Sequence, residues 1–377
     1  MSPLGLYIHI PFCRQKCYYC DFLSYQNQEK RIPDYLHALK TELVLYQKKY
    51  GKLYFDTIYI GGGTPSMLLG EEVTGLLSVI NDHFLVDAHS EITIEVNPGD
   101  LSQQLLAMYM ESGINRISLG VQTTDEELLK KLNRDHTNRD ILRSVQLMGE
   151  AGLENYSFDL IFGLPNQSIE GFQRDLKQIL SLQPAHLSLY SLIVEPNTYF
   201  HRLESEGQLL QPAEEEERAM YHWAIEHLRG AGYSQYEISN FARPGYASRH
   251  NLKYWRNQEY IGVGLGSSSH FDGARYSNTR KFSQYADRLM EGELPILERE
   301  IVTAASMEVD YLIMNLRLIQ GIRLSEYQER FGVDFMERYG RKLAPFLKSG
   351  HLLLEGNWIR MSTEGFDISN TILVELI

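Results

Sequence analysis

Cysteine is scarce in this chain, three in 377 residues, and cations are outnumbered, 36 Lys and Arg against 49 Asp and Glu. Long apolar runs are missing: nothing approaches the roughly 18 consecutive apolar residues of a membrane span. The amino terminus also lacks the basic, apolar, then small-residue order of a secretory leader. Each shortage excludes something. A formal net charge of -13 argues against a nucleic-acid partner, because phosphates demand a concentrated basic surface. The acidic run Ala213 to Arg218 reads as a solvated helix start. The expectation is a cytoplasmic protein with no integral membrane segment. In a reducing compartment, thiols gathered in one place read as a metal or redox site rather than a disulfide framework.

What is present is ordered. A chain of this length exceeds one small core, which predicts a large α/β domain and a smaller one. Strands are expected at Leu4 to Ile10, Thr57 to Gly61, Glu91 to Asn97, Arg116 to Gln122, Tyr156 to Phe162 and Ala185 to Leu192. Helices fill the gaps, near Pro33 to Lys49, Glu71 to His83, Leu101 to Ser112, Asp125 to Leu132, Arg139 to Ala151 and Ile169 to Leu182. This β/α alternation implies a parallel sheet with right-handed crossovers.

Side-chain parity then separates the candidate architectures. One face of the strands collects Ile8, Ile60, Ile94, Leu119 and Leu160, and packs on helices. The other collects Tyr7, His9, Tyr59, Glu95, Ser118, Gln122, Asp159, Ser188 and Tyr190. A closed eight-stranded barrel fills its interior with branched apolar residues, and a doubly wound sheet covers both faces with helices. A consistently polar inner face fits a partial (β/α)6 barrel whose lumen holds polar ligands. Ligands should sit at the C-terminal ends of the strands.

Residues 1–195 form that barrel in this reading. Residues 196–300 extend and cover it, with a helix at Ala213 to Ala231 and irregular structure over Tyr233 to Asn278. Residues 301–377 read as three helices, Ala304 to Ile319, Ser325 to Arg330 and Asp334 to Ser349, then a strand pair, a winged-helix-like arrangement. Given the charge, its expected role is structural or substrate-covering rather than DNA reading.

All three cysteines lie in "YIHIPFCRQKCYYCDF", as Cys13-x3-Cys17-x2-Cys20 directly after the first strand. Three thiolates on one tight loop can hold three irons of a 4Fe-4S cubane and leave the fourth iron open. The alternative is a zinc site with His9 as fourth ligand, although zinc pairs usually come as separated knuckles. "DTIYIGGGTPSML" follows the second strand, where its glycines let backbone N–H groups approach a ligand closely. Glu95, Gln122 and Asp159 project into the lumen. A buried carboxylate without a partner costs several kcal/mol, roughly 2 to 7 for an unpaired polar group, so these residues need a ligand or an Arg.

The cysteine segment resembles the signature of the radical S-adenosylmethionine (SAM) superfamily. The resemblance implies that SAM chelates the open iron through its amino and carboxylate groups. An electron from the cluster then splits SAM into methionine and a 5'-deoxyadenosyl radical. It further implies SAM contacts at Gly62, Gly63 and Thr64. Tyr7, Glu95, Gln122, Arg134 and Asp159 match SAM-contacting positions of the coproporphyrinogen-oxidase-like branch, with Arg134 on a carboxylate and an acidic residue on ribose hydroxyls. Similarity to that branch covers nearly the whole chain, including "GLPNQ" and "GVGLGSSSH".

Two groups share the branch, an oxygen-independent coproporphyrinogen III dehydrogenase and a HemW-type heme chaperone. The dehydrogenase carries a fourth cysteine two residues past the third and a long arm before its tyrosine-strand motif. Here Phe22 takes the fourth position and the motif starts at Tyr7. "RHNLKYW", Arg249 to Trp255, resembles the HNxxYW motif of the chaperone group. It implies heme contact by His250, Tyr254 and Trp255, with Arg249 and Lys253 toward propionates. His270 is a second available imidazole. The resulting expectation is a chaperone with one 4Fe-4S cluster, SAM and heme, delivering heme to an acceptor hemoprotein, such as one of the respiratory chain. The rival is the dehydrogenase, which decarboxylates two propionates.

Overall fold

The computed structural model describes residues 3–376. Six strands, β1 (Leu4–Ile10), β2 (Phe55–Gly62), β3 (Glu91–Val96), β4 (Arg116–Gln122), β5 (Tyr156–Phe162) and β6 (His186–Ser191), pair in parallel and in chain order. The helices between them are α1 (Ile32–Tyr50), α2 (Gly70–His83), α3 (Gln103–Glu111), α4 (Glu126–Lys131), α5 (Asn138–Glu150) and α6 (Ile169–Ser181).

Local chemistry sets their limits. Helix α1 carries Pro33 in its first turn, buries Tyr35, Leu36, Leu39, Leu43 and Tyr46 at three- and four-residue spacing, and stops at Gly51, whose φ of +77° suits glycine. Helix α5 opens with a capping box, in which Asp140 accepts from the Thr137 N–H at 2.8 Å. The helix-facing parity set is dry, with Ile8, Ile60, Ile94, Leu119 and Phe158 all at 0% exposure. Burial of this face drives the sheet against its helices.

The sheet does not end with six strands. It has twelve, because Tyr260–Val263 joins β1 in parallel, followed by Ser268–Phe271, Ala274–Asn278 and Ile296–Ile301 in antiparallel order. Beyond β6, Asn240–Ala242 and Ser234–Gln235 add antiparallel edges. This corrects the expectation of irregular structure over Tyr233 to Asn278. Its strands are two to five residues long, too short for a period-2 pattern to register. The same segment also holds a short helix, α9 (Arg249–Trp255), preceded by α7 (Tyr199–Ser205) and α8 (Glu214–Gly230). One hydrophobic core runs from Leu4 through Leu289, so residues of the extension share the barrel's interior.

A second core gathers Tyr311, Leu312, Tyr327, Phe335, Leu343 and Ile359 from the C-terminal segment. Helix α10 (Phe282–Met290) precedes it, and α11 (Ala304–Asn315), α12 (Leu324–Phe331) and α13 (Phe335–Ser349) lead into a three-stranded sheet of Ile322–Arg323, Trp358–Met361 and Leu352–Glu355. The expected strand pair gains a third, two-residue strand. Two further short helices, Thr363–Asp367 and Ser369–Val374, occupy the tail. The unit is tied to the barrel by an Arg275–Asp310 ion pair of 2.8 Å and by the Ile238 and Ile319 N–H groups, which donate to Arg317 and Tyr236 carbonyls. Among the described residues no helix is long and apolar enough to cross a membrane.

Candidate functional site

Strand β1 ends at Ile10 and the chain enters the cysteine loop. Phe12–Cys13 pairs in parallel with Tyr25–Gln26, closing the loop at its base. Phe12, fully buried, packs edge-on against Tyr35 at 5.4 Å and anchors it to α1. From the other side Asn133 donates to the Lys16 carbonyl at 2.9 Å and the Tyr18 N–H donates to Leu132 O. The three thiols are free and all line one cavity of about 520 Å³.

The glycines of "IGGGTP" meet this loop. The Gly63 N–H donates to Ile10 O at 2.8 Å, and a Cβ on Gly63 would stand 2.6 Å from Phe12 O and 3.0 Å from Cys13 Sγ. Gly62 has φ +117°, and a Cβ there would strike the His9 ring at 2.5 Å. Only glycine permits this approach. Thr64 Oγ1 donates toward Cys13 Sγ at 3.4 Å, and Arg134 Nη1 toward Cys17 Sγ at 3.5 Å.

The donor set fits a cluster better than zinc. His9 is engaged elsewhere, its Nδ1 3.0 Å from Tyr7 OH and its Nε2 2.8 Å from Leu23 O. No group of three His, Cys, Asp or Glu among the described residues is gathered around a single-ion position. Burial pushes the Cys20 thiol up to about 11 and also raises Cys13, so loading metal must displace protons.

Five of the six barrel strands, β2 to β6, send a polar group to the same cavity. Glu95 accepts from Tyr59 OH at 2.9 Å and from the Gly62 N–H at 3.0 Å. Burial raises its carboxyl to about 7, and the Asp159 charge adds to the effect. Asp159 accepts from Ser118 Oγ at 3.0 Å and is raised by burial too. Arg134 donates to Asn97 Oδ1 at 2.8 Å and Gly120 O at 2.6 Å, while its buried Nε has no partner. Gln122 sits at φ +67° on a bulge where β4 slips against β5, which aims its side chain at the cavity.

Of the expected SAM set, Gly62, Gly63, Thr64, Glu95, Gln122, Arg134 and Asp159 line this cavity. Tyr7 lies outside the lining; its ring stacks on that of Tyr59 at 6.2 Å. Arg116 lines the cavity as well, 2% exposed, with Nε unpartnered and no ion-pair partner among the described residues. It is the residue the sequence reading leaves out, although it shares a strand face with Ser118 and Gln122. Phe22 stands at the mouth, 64% exposed, so its ring is offered to the cavity rather than to the core.

The RHNLKYW segment is helix α9, docked on the starts of β2 and β3. The Glu91 carboxylate accepts the Arg249 and His250 N–H groups at 3.0 Å each. Lys253 is 2.7 Å from Asp56, and Arg249 donates to His89 O and reaches Asp56 at 3.4 Å. These two cations therefore hold the helix to the barrel and are not free for propionates. His250 is 1% exposed. Its Nδ1 is 2.9 Å from Thr57 Oγ1 and its Nε2 2.8 Å from Tyr254 OH, and burial lowers its pKa to about 3. Both ring nitrogens of His250 are thus already engaged in the wall.

Tyr254 and Trp255 do reach open space. They line a second cavity, about 600 Å³, bounded by Tyr260, His270 and Arg275 of the extension and by Met314 and Arg317 of the C-terminal unit. Tyr190 and Asn251 line both cavities.

A radical SAM superfamily model matches residues 7–179, and a HemN C-terminal domain model matches residues 310–368. Heme chaperone HemW of Lactococcus lactis is 36% identical over 376 residues, covering 100% of this chain and 98% of the relative. The Bacillus subtilis protein of that name is 39% identical over 327 residues, 86% of each chain, and the Escherichia coli one 38% over 333, covering 87% and 86%. Among solved structures, Escherichia coli coproporphyrinogen III oxidase HemN, described as a radical SAM enzyme, superposes with a TM-score of 0.86 over 99% of this chain and 89% of its own. At 24% identity that likeness speaks to the fold.

Proposed function

We propose, for a chain that belongs to the HemW heme-chaperone family of the radical SAM superfamily, that it binds heme and passes it to an acceptor hemoprotein. What carries the reading is the end-to-end similarity, 36% identity over 376 residues, to a protein named as a heme chaperone. The radical SAM family implies SAM and a 4Fe-4S cluster. Cys13, Cys17 and Cys20 would hold the cluster, which when bound supplies one-electron reducing power and an open iron for SAM. Arg134 and Arg116 would neutralise carboxylate charge in the cavity, and Glu95 and Asp159 would accept hydrogen bonds from hydroxyl or ammonium groups. Tyr254 and Trp255 would offer flat apolar surfaces to the porphyrin, with His250 holding the Tyr254 hydroxyl in place. The acceptor is a hemoprotein met in the cytoplasm or at the membrane surface, such as one serving respiration.

The rival activity, oxidative decarboxylation of coproporphyrinogen III, draws support from the fold alone. Phe22, where the decarboxylating group has one more thiol, speaks against it. The test pairs two assays on reconstituted protein kept anaerobic. Heme titration should give a saturable Soret band, while coproporphyrinogen III with SAM and a reductant should be returned unchanged. Vinyl product in the second assay would overturn the proposal.

A further inference from the structure

His250 has no free nitrogen, yet a heme-carrying protein needs a ligand for iron or an equivalent grip. We infer that the cavity between the barrel extension and the C-terminal unit is the porphyrin site, and that His270 supplies its axial imidazole. This rests on the heme-binding reading above.

Size and lining both suit the ligand. About 600 Å³ falls within the few-hundred to thousand Å³ range of small-molecule sites. Tyr254 and Tyr260 meet edge to face at 4.6 Å, and the Trp255 indole lies beside them with the Arg317 guanidinium 5.9 Å from its ring. These rings provide the planar apolar walls that a macrocycle buries. His270 pairs with Tyr260 across adjacent strands, which places it in the same wall. Partial burial lowers its pKa, which favours the neutral ring, the form that binds a metal. Met314 on α11 brings a polarisable thioether from the facing unit.

One cation in the lining is left for a carboxylate. Arg275 already pairs with Asp310 at 2.8 Å and Glu300 at 3.1 Å, and Arg317 has no ion-pair partner among the described residues. Glu237, the other acid in the lining, is raised to about 7 by burial and accepts from the Ser239 N–H at 3.0 Å, so it opposes propionates weakly. Three buried polar atoms on lining residues lack any partner: Asn240 Oδ1, Asn257 Nδ2 and Arg275 Nε. Native interiors seldom leave such groups orphaned without a ligand or water.

The experiment is a hemin titration of the full chain, wild type beside His270→Ala, His270→Met and His250→Gln, read by Soret position and by tryptophan quenching. The wild type should bind one heme. His270→Ala should weaken binding about tenfold or more and shift the Soret band, with added imidazole restoring it, and His270→Met should give a third spectrum, because the axial ligand sets the electronic state. His250→Gln, which keeps hydrogen-bonding capacity, should keep the wild-type Soret position whatever its effect on affinity. Wild-type spectra in both His270 variants, or a shifted Soret band in a natively folded His250→Gln, would overturn the assignment while leaving heme binding intact. A wild type that binds no heme would instead remove the functional reading beneath it.

Discussion

Replacing His250 with alanine should destabilise the protein by an amount that depends on pH in a calculable way. The imidazole bridges Thr57 Oγ1 and Tyr254 OH at 2.9 and 2.8 Å and stacks on Tyr59. Its removal strands two buried hydroxyls, at about 1–3 kcal/mol each, and opens a cavity; about 3–5 kcal/mol in total is expected at pH 7.5. Burial, with the nearby Lys253 charge, holds the folded pKa to about 3, while the unfolded chain titrates near 6.5. Between those values the unfolded state binds the extra proton, so His250 makes the wild type lose stability as pH falls. From pH 7.5 to 5.5 that loss is about 1.4 kcal/mol. Alanine has no such proton to gain, so the mutational cost should shrink by that amount at pH 5.5. Urea unfolding of both proteins at the two pH values, followed by far-UV circular dichroism, measures it. A cost equal at both would mean that the ring titrates freely in the fold, and a larger one at pH 5.5 that its pKa is raised there; either result would make the buried-bridge account wrong.

Gly63→Ala should lower iron and sulfide per chain after reconstitution, because the new methyl meets Phe12 O and Cys13 Sγ; full loading would show that the loop yields. Glu95→Gln should weaken SAM binding about tenfold with the cluster absorbance unchanged. Wild-type SAM affinity should also rise as pH passes through 7, where Glu95 ionises, and the variant's profile should be flat over that interval; a matching rise in the variant would assign the titration to another group. Arg116→Met should raise thermal stability of the ligand-free chain by about 1 kcal/mol or more, since it replaces an unpaired buried cation with apolar volume. A lower melting temperature would show that the field of Asp159 already compensates that charge.

Much of the barrel was legible because its signals repeat. Six alternations of strand and helix place the parallel sheet, and strict parity separates Ile60 from Tyr59 and Leu119 from Ser118 before any coordinate is known. The cavity residues followed, since Glu95, Gln122 and Asp159 share that parity, and even the bulge at Gln122 kept its side chain inward. Arg116 escaped because a cation at the start of a strand reads as solvent-exposed; nothing local says that the strand begins deep inside. The extension escaped for a different reason. Residues 233–278 form strands of at most five residues, whose pairing is fixed by β1 and β6, far away in sequence. The RHNLKYW helix shows the limit of motif reading. Its spacing puts His250 and Tyr254 one turn apart, but whether an imidazole faces a ligand or a threonine depends on β2.

The partition between the two cavities is one residue thick at Tyr190 and at Asn251. A ligand on either side therefore meets the same two side chains, and if they couple the sites, equilibrium imposes a symmetry on the outcome. Whatever factor SAM applies to heme affinity, heme applies to SAM affinity. Couplings of about 1–3 kcal/mol correspond to roughly 5- to 150-fold, enough to turn a carrier that keeps its cargo into one that surrenders it. Filling or emptying the cluster chamber would then act as the instruction to hold or let go, with no moving lid required.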